Sequence, residues 1–504
     1  MDLPDALAYL DQHLNREATA GKIEGLHLEH MLRVTEVLGD PHRAYPVIHI
    51  TGTNGKGSVA RMVTALLVES GLSVGTYTSP HLVALNERLA WNGEPISDDD
   101  LASTIGDLAA VEPLLGITPS WFELMTAAAL AWFAEVAVDV AVIEVGLLGR
   151  FDATNVVDAD VAVITNIGFD HTDGVGDWRR AIATEKAGII KPGSFLVLGE
   201  PDDDLVSVFL AEKPRQVWTR DIEFGVDVDL PAVGGRLVDL RTPNGVYPEI
   251  YLPVHGAHQA ANASIAVAAV EAFFGRGLEP EIVEAGLAGL TLPGRLEVVG
   301  RAPLVLIDGA HNPSGAVVVA EAVEQDFEVA GQRTLVVGML EGRDLAAMLE
   351  ALDVGRYDLV ITCTPDSPRA VDAAELAAVA GDLGAVVEIE PDVSTAIDRA
   401  LQLAADDDLI LVTGSLYVVG AARAHLRPDA DLSDTRKAPD EQPLSAYERA
   451  KLDILDDDDD AEGDDDERDA SDDPELFGGE DDPLDRLLDL DALRDPDDGN
   501  ADPN

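Results

Sequence analysis

Residues 51–58, TGTNGKGS, decide how the first half of this chain folds. The apolar residues 45–50 before them predict a buried strand, and residues 59–69 after them have helical spacing without a breaker. A strand, a glycine-rich turn, a lysine and a helix, in this order, are the layout of a phosphate-binding loop. The alternative is a glycine-rich turn with a surface lysine, and the strand and helix on the correct sides argue against it.

Each residue type in this stretch contributes to binding an anion. Gly52, Gly55 and Gly57 let the backbone turn sharply and direct its N–H groups at a phosphate. Lys56 adds a mobile charge, and Ser58 adds a hydroxyl beside the positive end of the helix dipole. The strict Walker pattern is not met, because Gly57 stands where that pattern requires serine or threonine.

The composition is that of a globular protein without membrane spans or disulfides. A chain of 504 residues is long enough for two or three domains with large cores. It has no run of eighteen apolar residues, and its first residues lack the basic and apolar regions of a signal peptide. The single cysteine, Cys363, excludes an intramolecular disulfide. We therefore expect a cytoplasmic protein that does not bind membranes.

The formal net charge of −61 is extreme. Part of it lies in the acidic runs 456–460 and 464–466, but the rest of the chain is also strongly acidic. A solvated acidic surface that opposes aggregation in concentrated salt predicts a salt-adapted organism, and a basic partner is the competing interpretation. The charge argues against nucleic acid, which needs a basic surface. We expect a monomer whose partners are small molecules.

The first half of the chain has the pattern of a mostly parallel α/β sheet covered on both faces. Helices are predicted within residues 1–40, with a break at 22–26. The predicted strands are 45–50, 73–78, 138–144, 160–165 and 195–198, separated by helices at 59–69, 121–136 and 177–187. Residues 215–253 are valine-rich and interrupted by glycine and proline, so we predict a small β unit there. Helices at 255–274 and 279–289 follow.

A second alternation follows residues 292–295, LPGR, which resemble a hinge. It predicts a smaller doubly wound, Rossmann-like domain. Its strands are expected at 304–308, 334–337, 359–363, 385–389 and 409–413, and its helices at 315–327, 344–352, 373–380 and 393–404. From about residue 427 the chain is too acidic to offset its ordering entropy, so we expect a disordered tail with at most a short helix at 485–494. The expected domains are 1–295, 296–426 and 427–504.

Three polar side chains follow strands of the first predicted sheet. They are Ser79, Glu144 and His171. Ligands bind beyond the carboxyl ends of parallel strands, so we expect these side chains beside the phosphate-binding loop, where with Ser58 they complete the shell of Mg²⁺. Each also has an ordinary interpretation. Ser79 is then a turn residue, Glu144 an ion-pair partner and His171 a helix cap.

Further candidates lie in the loops of the first domain. Asp152 and Asn155 follow the strand of Glu144, and they either orient a substrate or hold their loop. Lys186 lies near the end of a predicted helix, where it either serves the site or stabilises the helix C-terminus. His258, Gln259 and Asn262 share one helical face, where they either hold a base or satisfy the core.

The second domain contributes its own candidates. Asp308 and His311 lie at its first strand–helix turn and suggest a nucleotide or substrate contact. Arg295 in the hinge is suited to reach phosphate across the cleft.

In order along the chain, these motifs resemble folylpolyglutamate synthase and the related bifunctional dihydrofolate synthase, a branch of the Mur-ligase superfamily. The resemblance covers about residues 20–420. It rests on GTNGKGS, TSPHL with NERL, IEVGLLGRFDATN, ITNIGFDHTD, EKAGIIKPG, HQAANA, LPGRLEV, DGAHNP and GSLYVVG. Each motif alone is weak, whereas the ordered set is highly specific.

The resemblance implies an ATP-dependent amide ligase. ATP phosphorylates the carboxylate of a folate or of dihydropteroate, and the amine of L-glutamate attacks the acyl phosphate. The nucleotide-binding positions it implies are Gly52, Thr53, Asn54, Gly55, Lys56, Gly57, Ser58, Gln259, Asn262, Arg295 and Asp308. The implied metal ligands are Ser58, Ser79, Glu144 and His171.

The resemblance also matches Lys186 with a lysine that the family carbamylates. It matches Arg88, His311 and Ser415 with residues that bind glutamate or assemble the site. The candidate catalytic residues are therefore Lys56, Lys186, His311 and Arg88. The candidate substrate-binding residues are Arg88, Asp152, Asn155, His311 and Ser415.

Two departures from the family pattern and two alternatives stay open. Leu148 replaces the usual second glycine of the GLGGR loop, and residues 341–344, EGRD, replace a DKD-like run. The chain is expected to make dihydrofolate, to extend folylpolyglutamate, or both. The alternatives are a Mur-type ligase with another carboxylate acceptor and a catalytically silent nucleotide-binding regulator. Intact Lys56, Glu144, His171 and Lys186 argue against the regulator.

Overall fold

The largest sheet of the computed structural model is built around the strand that precedes TGTNGKGS. The structure describes residues 1–15, 27–169 and 176–427. Within them, eight strands form this sheet in the order β4-β3-β2-β5-β1-β6-β7-β8. They are β1 (Val47–Thr51), β2 (Val74–Tyr77), β3 (Leu89–Trp91), β4 (Glu94–Pro95), β5 (Val140–Glu144), β6 (Val161–Ile164), β7 (Phe195–Leu198) and β8 (Gln216–Thr219). All neighbours are parallel except β3, which is antiparallel to β2 and β4.

Helices cover both faces of this sheet. They are α1 (Leu3–Leu10), α2 (Glu29–Val37), α3 (Lys56–Glu69), α4 (Asp98–Val111), α5 (Trp121–Glu135), α6 (Trp178–Ala187), α7 (Asp203–Leu210), α8 (Ala257–Phe274) and α9 (Pro280–Ala288). Ile48 and Ile50 of β1 pack in the core formed with α3 and α8, whereas Val47 packs in the core formed with α5. Both faces of β1 are therefore buried, as the continuous apolar run predicts.

A small antiparallel sheet lies between the two halves of the chain. It has the order β11-β10-β9 and consists of β9 (Gly225–Ala232), β10 (Gly235–Thr242) and β11 (Gly245–Leu252). Val238, Leu240 and Ile250 join the core that contains α3 and α8. This sheet thus extends the first domain.

The third sheet has six strands in the order β12-β13-β17-β14-β15-β16. They are β12 (Glu297–Arg301), β13 (Leu304–Ile307), β14 (Arg333–Val337), β15 (Leu359–Thr362), β16 (Val387–Ile389) and β17 (Leu409–Thr413). Its helices are α10 (Pro313–Asp326), α11 (Leu345–Ala351), α12 (Ala373–Asp382), α13 (Val393–Leu403) and α14 (Leu416–Leu426). Only β12 is antiparallel to its neighbour in the sheet. The predicted Rossmann-like domain is confirmed.

The structure refines the prediction in several places. Residues 215–253 are not a single β unit, because β8 joins the large sheet while β9, β10 and β11 form their own. Helices α4, α7 and α14 and the antiparallel strands β3, β4 and β12 were not predicted. All described residues belong to one compact unit, and a division at residue 295 stays a prediction. The break at 22–26, His171 and the tail from residue 428 lie outside the described residues. None of the described helices is long and apolar enough to cross a membrane.

Candidate active site

The turn between β1 and α3 contains two glycines that the packing requires. Gly55 has a φ of +82°. A Cβ on Gly55 would lie 2.6 Å from Oδ1 of Asn262 on α8. A Cβ on Gly52 would lie 1.8 Å from Oγ1 of Thr165, directly after β6. Any side chain at these two positions would displace the neighbours that define the turn.

The loop after β6 holds the backbone of the turn. The N–H of Thr53 donates to the carbonyl of Asn166 at 3.0 Å, and the N–H of Asn54 donates to Oδ1 of Asn166 at 3.0 Å. The hydroxyl of Thr165 donates to the carbonyl of Asn54 at 2.6 Å. Because β6 is the parallel neighbour of β1, the sheet itself places this loop beside the turn.

Two lysines converge on one carbonyl of the turn. The ammonium of Lys56 donates to the carbonyls of Gly52 at 3.2 Å and Thr53 at 3.3 Å. Lys186, near the C-terminus of α6, is buried and donates to the same carbonyl of Gly52 at 2.7 Å. Lys186 thus contacts the phosphate-binding loop from 134 residues away in the sequence.

Glu144 at the end of β5 meets Ser79 at the end of β2. Its Oε2 accepts a hydrogen bond from the backbone N–H of Ser79 at 3.0 Å. Burial raises the pKa of this carboxyl, whereas Lys56, the Ser79 N–H and Arg295 act in the opposite direction. Bound cations would favour the charged form further.

The oxygen donors around Glu144 fit Mg²⁺. A Cβ on Gly57 would lie 3.4 Å from Oε2 of Glu144, so the carboxylate lies against the first turn of α3, beside the buried Ser58. The described residues contain no group of three acidic, histidine or cysteine side chains around one point. Mg²⁺ needs none, because it keeps several waters and binds one or two carboxylates together with substrate phosphates. His171, the remaining predicted ligand, lies outside the described residues.

The third sheet brings a second set of polar side chains to the same place. Asp308 follows β13, and its carboxylate accepts from the N–H groups of Leu296 and Ala310, each at 2.8 Å. Burial raises the pKa of Asp308, and the nearby Arg295 is the first of the groups that oppose this. Nδ1 of His311 lies 2.9 Å from the carbonyl of Gly309.

Two helix starts complete the walls of the site. Ser415 caps the N-terminus of α14, where its hydroxyl accepts from the N–H of Val418 at 3.2 Å. On α8, the side-chain amide of Asn262 donates to Oε1 of Gln259 at 3.0 Å, and both residues are buried. The first turn of α8 therefore presents a paired amide directly behind Gly55.

An asparagine pair links the phosphate-binding loop to the second domain. Nδ2 of Asn312 donates to Oδ1 of Asn54 at 2.9 Å, and Nδ2 of Asn54 lies 3.3 Å from Oδ1 of Asn312. Asn312 is buried and caps α10 by accepting from the N–H of Gly315 at 2.8 Å. One side chain thus starts α10 and touches the loop that is predicted to bind phosphate.

Replacing Asn312 by alanine is expected to affect both roles. Loss of the cap should lower the free energy of unfolding by about 1 kcal/mol. Loss of the Asn54 contact should raise the KM for ATP by about 3- to 10-fold, as expected for one hydrogen bond. Steady-state kinetics and thermal unfolding measure the two effects.

Asp392→Ala is the matched control, because Asp392 caps α13 in the same sheet through the N–H of Thr395 at 2.8 Å. The substitution Asp392→Ala should lower the free energy of unfolding by a similar amount and leave the KM for ATP unchanged. An equal change of KM in both variants would contradict a specific role for the asparagine pair.

Arg88 is held in a defined position beside the cavity. It is buried, its Nε donates to Nδ1 of His81 at 3.0 Å, and its guanidinium lies 4.8 Å from the ring centroid of Trp121. The contacts with Trp121 and His81 restrict the orientation of the guanidinium group. Its planar pair of N–H donors is suited to binding a carboxylate.

Asp152 and Asn155 organise the loop after β5. Asp152 accepts from the N–H groups of Thr154 at 3.0 Å and Leu147 at 2.8 Å. The amide of Asn155 donates to the carbonyls of Arg150 at 2.9 Å and Gly188 at 3.0 Å. Asp152 lines the cavity, but Asn155 does not. For Asn155 the structure favours the loop-holding interpretation.

Leu148, in the same loop, is one of the departures from the family pattern, and its backbone has the conformation that favours glycine. Its φ is +57°, a conformation in which glycine is free of strain. A leucine there costs about 1–2 kcal/mol. Its carbonyl accepts from the hydroxyl of Thr51 at 2.6 Å, so that the loop is tied to the end of β1.

These elements enclose one cavity of about 920 Å³ between the first and third sheets. That volume is typical of sites for organic ligands. The predicted residues that line it are Thr53, Asn54, Gly55, Lys56, Gly57, Ser58, Ser79, Arg88, Glu144, Asp152, Gln259, Asn262, Arg295, Asp308, His311 and Ser415. Gly52 and Lys186 lie just behind the lining, in contact with each other.

The sequence prediction missed several cavity residues. Asn166 lines the cavity, whereas Asn312 lies outside the lining; both belong to quoted motifs but became significant only through their contacts with Asn54. Arg343 and Arg369 line the cavity on the side of the second domain, and the EGRD segment contains the first of them. The end of the cavity that is rich in aromatic rings and histidines is lined by His13, His27, His30, Trp121, Phe122 and Phe151, of which only Phe151 lies in a quoted motif.

Two family descriptions match the chain. "Mur ligase middle domain" matches residues 118–270, and "Mur ligase, glutamate ligase domain" matches residues 294–416. The dihydrofolate synthase/folylpolyglutamate synthase of Mycobacterium tuberculosis is 42% identical over 429 residues, which are 77% of this chain and 87% of that protein.

Solved structures agree with these matches. Mycobacterium tuberculosis folylpolyglutamate synthase complexed with ADP has a TM-score of 0.79 and 39% identity, and the match covers 85% of this chain and 99% of that one. A bifunctional folylpolyglutamate synthase/dihydrofolate synthase with Mn, AMPPNP and L-glutamate bound has a TM-score of 0.73 and 32% identity, over 84% and 98%. The chain therefore belongs to the Mur ligase family, in the branch of folylpolyglutamate and dihydrofolate synthases.

Proposed function

We propose that this chain is an ATP-dependent ligase that joins L-glutamate to the carboxylate of a reduced folate, of 7,8-dihydropteroate, or of both. The observation that carries the proposal is the cavity of about 920 Å³ with the glycine-rich turn of residues 52–58 on one wall and Arg295, Asp308 and His311 on the other. The names of the relatives and the ADP in one similar structure support it.

The proposed chemistry proceeds in two transfers. The acceptor carboxylate takes the γ-phosphoryl group of ATP, so that ADP leaves and an acyl phosphate forms. The amine of L-glutamate then attacks the acyl carbon, an amide bond forms, and phosphate and a proton leave. Such a reaction needs positioning and charge neutralisation more than acid–base catalysis. The N–H groups of residues 52–58, together with Lys56 and Arg295, supply these.

Ser58, Ser79 and Glu144 would hold Mg²⁺, with His171 as a further predicted ligand. The ion would supply neutralisation of phosphoryl charge. The Mn in one similar structure supports a divalent cation here. The hydrogen bond from the Ser79 N–H holds the carboxylate of Glu144, which lies against Gly57 in the first turn of α3.

We also propose that Lys186 is carbamylated. Its amine and that of Lys56 both donate to the carbonyl of Gly52, so two cations are close together in a buried place. The ammonium group first loses a proton. The neutral amine then attacks CO₂, so that an N–C bond forms as one C–O π bond opens, and a second proton leaves; a cation is thereby replaced by an anion. A carbamate signal in ¹³C NMR after incubation with labelled bicarbonate, absent in Lys186→Ala, tests this.

Arg88, Asp152, His311 and Ser415 are proposed to bind the acceptor and L-glutamate. Arg88 and Ser415 are held by their neighbours before any ligand binds, which lowers the entropic cost of binding. Asn155 takes part by holding the loop of Asp152. Closure of residues 296–426 over residues 1–295 about the hinge at 292–295 would bring the two walls together.

Release of ADP tests the function. The enzyme is given Mg-ATP and L-glutamate in concentrated potassium chloride, with 7,8-dihydropteroate or a reduced folate monoglutamate as acceptor. Turnover with the first establishes dihydrofolate synthesis, and turnover with the second establishes chain extension. Turnover with neither, in folded protein that binds ATP, would favour another carboxylate acceptor or a silent regulator.

The net charge of −61 supports a salt-adapted organism and a protein that does not bind nucleic acid. We propose a cytoplasmic monomer that acts on small molecules. We propose that the acidic residues after 427 do not contribute to the ligase reaction.

Truncation after about residue 430 should therefore leave turnover in high salt unchanged. Helix α14 ends at Leu426, so the cut removes no described element. Rates of ADP release before and after truncation measure the effect. Loss of activity in a truncated protein that keeps its far-ultraviolet circular dichroism would overturn the prediction.

A further inference from the structure

The central strand β1 carries one imidazole, His49, in a completely buried position. Its side chain has no exposed surface, and its neighbours in the strand are Ile48 and Ile50. Desolvation and the nearby Lys191 lower the pKa of His49 to about 3, so the ring is uncharged in neutral solution. A buried polar ring is destabilising unless its hydrogen bonds are made, and its partners therefore indicate what it does.

His49 begins a chain of hydrogen bonds that ends at the active-site cavity. Its Nε2 lies 2.9 Å from Oγ1 of Thr154, a residue 105 positions away in the sequence. The hydroxyl of Thr154 donates to Oδ1 of Asp152 at 2.5 Å. Thr154 is as deeply buried as His49, whereas Asp152 lines the cavity. The strand that precedes the phosphate-binding loop is thus connected to a carboxylate in the wall of the site.

The hydrogen atoms of this chain have one direction. Thr154 has a single hydroxyl hydrogen, and because Asp152 accepts it, Nε2 of His49 is the donor to Oγ1. Nδ1 is then the unprotonated nitrogen, and throughout the described ranges no partner reaches it. This unsatisfied lone pair lowers stability, and an aliphatic side chain like those beside it in β1 would avoid the loss. The imidazole therefore has a role other than stability.

The hydroxyl of Thr154 contributes to both the position and the charge of Asp152. Oδ1 accepts from this hydroxyl and from the N–H of Thr154 at 3.0 Å, while the N–H of Leu147 donates to Oδ2 at 2.8 Å. Burial raises the pKa of Asp152, and these donors act in the opposite direction, the hydroxyl most strongly. A hydroxyl that accepts from an N–H is a stronger donor to the carboxylate, because hydrogen bonds in a chain polarise one another. His49 thereby supports Asp152 from one residue further away.

A second contact fastens the same loop to the same face of β1. Residues 49 and 51 are two positions apart, so their side chains lie on one face of the strand. The hydroxyl of Thr51 donates to the carbonyl of Leu148 at 2.6 Å. His49 and Thr51 therefore hold the loop on both sides of Asp152. The contact of Thr51 ends at the backbone, whereas that of His49 leads on to the carboxylate.

We propose that His49 is a positioning residue, which acts through Thr154 to hold the carboxylate of Asp152 in place for the acceptor of the ligase reaction. This inference rests on the proposed function, in which Asp152 contacts the acceptor. The competing interpretation is a proton relay from Asp152 to His49. Protonation of Nδ1 would place a cation in the core near Lys191, where no hydrogen-bond partner lies among the described residues. The ring therefore orients its neighbours and does not store a proton.

Replacing His49 by leucine removes the Nε2 donor and keeps a side chain of similar size. The KM for the acceptor should rise by about 5- to 20-fold, whereas the KM for ATP should change by less than about twofold. The KM for ATP is spared because contacts from Thr165 and Asn166 hold the phosphate-binding loop. His49→Gln, whose amide nitrogen replaces Nε2, should restore most of the acceptor affinity. A purely structural role of His49 in β1 would raise both KM values.

Replacing Thr154 by valine tests whether the effect passes through the hydroxyl. The KM for the acceptor should rise by a similar factor, and His49→Leu/Thr154→Val should add little, because both residues act in one chain. Thr35→Val is the matched control, since the hydroxyl of this buried threonine of α2 donates to the carbonyl of Met31 at 2.9 Å. It should leave both KM values unchanged. Independent, multiplying effects of the His49 and Thr154 variants would overturn the proposal.

Binding measurements separate this proposal from the proposed function. Calorimetric titration with 7,8-dihydropteroate and with a reduced folate monoglutamate needs no turnover, and His49→Leu should weaken acceptor binding by the same factor as it raises KM. Weaker binding in this variant, with no ADP release by the wild type, would contradict the ligase activity and support the role of His49. Equal dissociation constants for wild type and folded His49→Leu would overturn the positioning role even in an active ligase.

Discussion

Replacing Lys56 by alanine will lower the rate of ADP release by at least about 100-fold. Lys56 lines the cavity and touches the carbonyls of Gly52 and Thr53, so its charge is directed into the loop. It is also the group that most strongly opposes the raised pKa of Glu144. The variant therefore loses neutralisation of the phosphoryl group and of the carboxylate that is proposed to hold Mg²⁺.

The measurement is ADP release at saturating Mg-ATP, together with titration of ATP binding. Lys213→Ala is the matched control, because Lys213 is an exposed lysine outside the lining of the cavity. It should behave as the wild type. Near-normal turnover by folded Lys56→Ala would refute the assignment of residues 51–58 as the phosphate-binding loop.

Replacing Arg236 by alanine will destabilise the protein by about 3–5 kcal/mol. Arg236 on β10 is 3% exposed, and its Nε donates to Asp229 at 2.6 Å. Its Nη1 donates to Asp326 at the end of α10, whose side chain is 1% exposed. Removal of the guanidinium would leave a buried carboxylate whose remaining polar neighbours, among the described residues, are the N–H of Gly256 at 2.6 Å and Nδ1 of His255 at 3.8 Å.

Thermal and denaturant unfolding in concentrated potassium chloride measure this effect. Arg241→Ala is the matched control, because Arg241 lies on the same strand and pairs with Asp227 at 2.8 Å at a largely solvated position. Its loss should cost about 0.2–1 kcal/mol. The double variant Arg236→Met/Asp326→Leu should recover most of the loss, since it leaves no unpaired buried charge. If Arg236→Ala lowers the free energy of unfolding by as little as Arg241→Ala does, then water stabilises the unpaired carboxylate of Asp326 and the prediction is wrong.

Helix α10 has a special position because it is held at both ends. Its N-terminal cap, Asn312, contacts Asn54 in the phosphate-binding loop, and its last residue, Asp326, contacts Arg236 and the N–H of Gly256 at the start of α8. The helix α8 carries Gln259 and Asn262. The position of the second domain is therefore linked to two walls of the active site, and loosening either end should raise the KM for ATP.

Much of the fold was predictable because its signals are local. Short, mostly apolar runs identified β1, β5, β6 and β7 as parallel strands buried on both faces, and the stretch 73–78 predicted β2 although it contains polar residues. Helices α4 and α7 were missed although serine or aspartate caps begin them. The antiparallel strands β3 and β4 have only three and two residues, so they give no clear alternation.

The candidate site followed from topology more than from any single motif. Because β2, β5 and β6 surround β1 in parallel, the residues after these strands had to meet beside the loop. That argument places Ser79 and Glu144 correctly and brings Asn166 to the loop as well. It does not distinguish Asp152, which lines the cavity, from Asn155, which holds the loop from behind.

By itself, the sequence determined the strand, glycine-rich turn and helix around residues 51–58, the two successive α/β alternations and the order of the motifs. Each of these depends on residues that are neighbours in the chain, and their spacing carries the information. Only the tertiary structure decided the contacts of Lys186 with Gly52, of Asn54 with Asn312, and of Arg236 with Asp326. These partners are 134, 258 and 90 residues apart, so the burial that makes each contact strong exists only after the chain has folded.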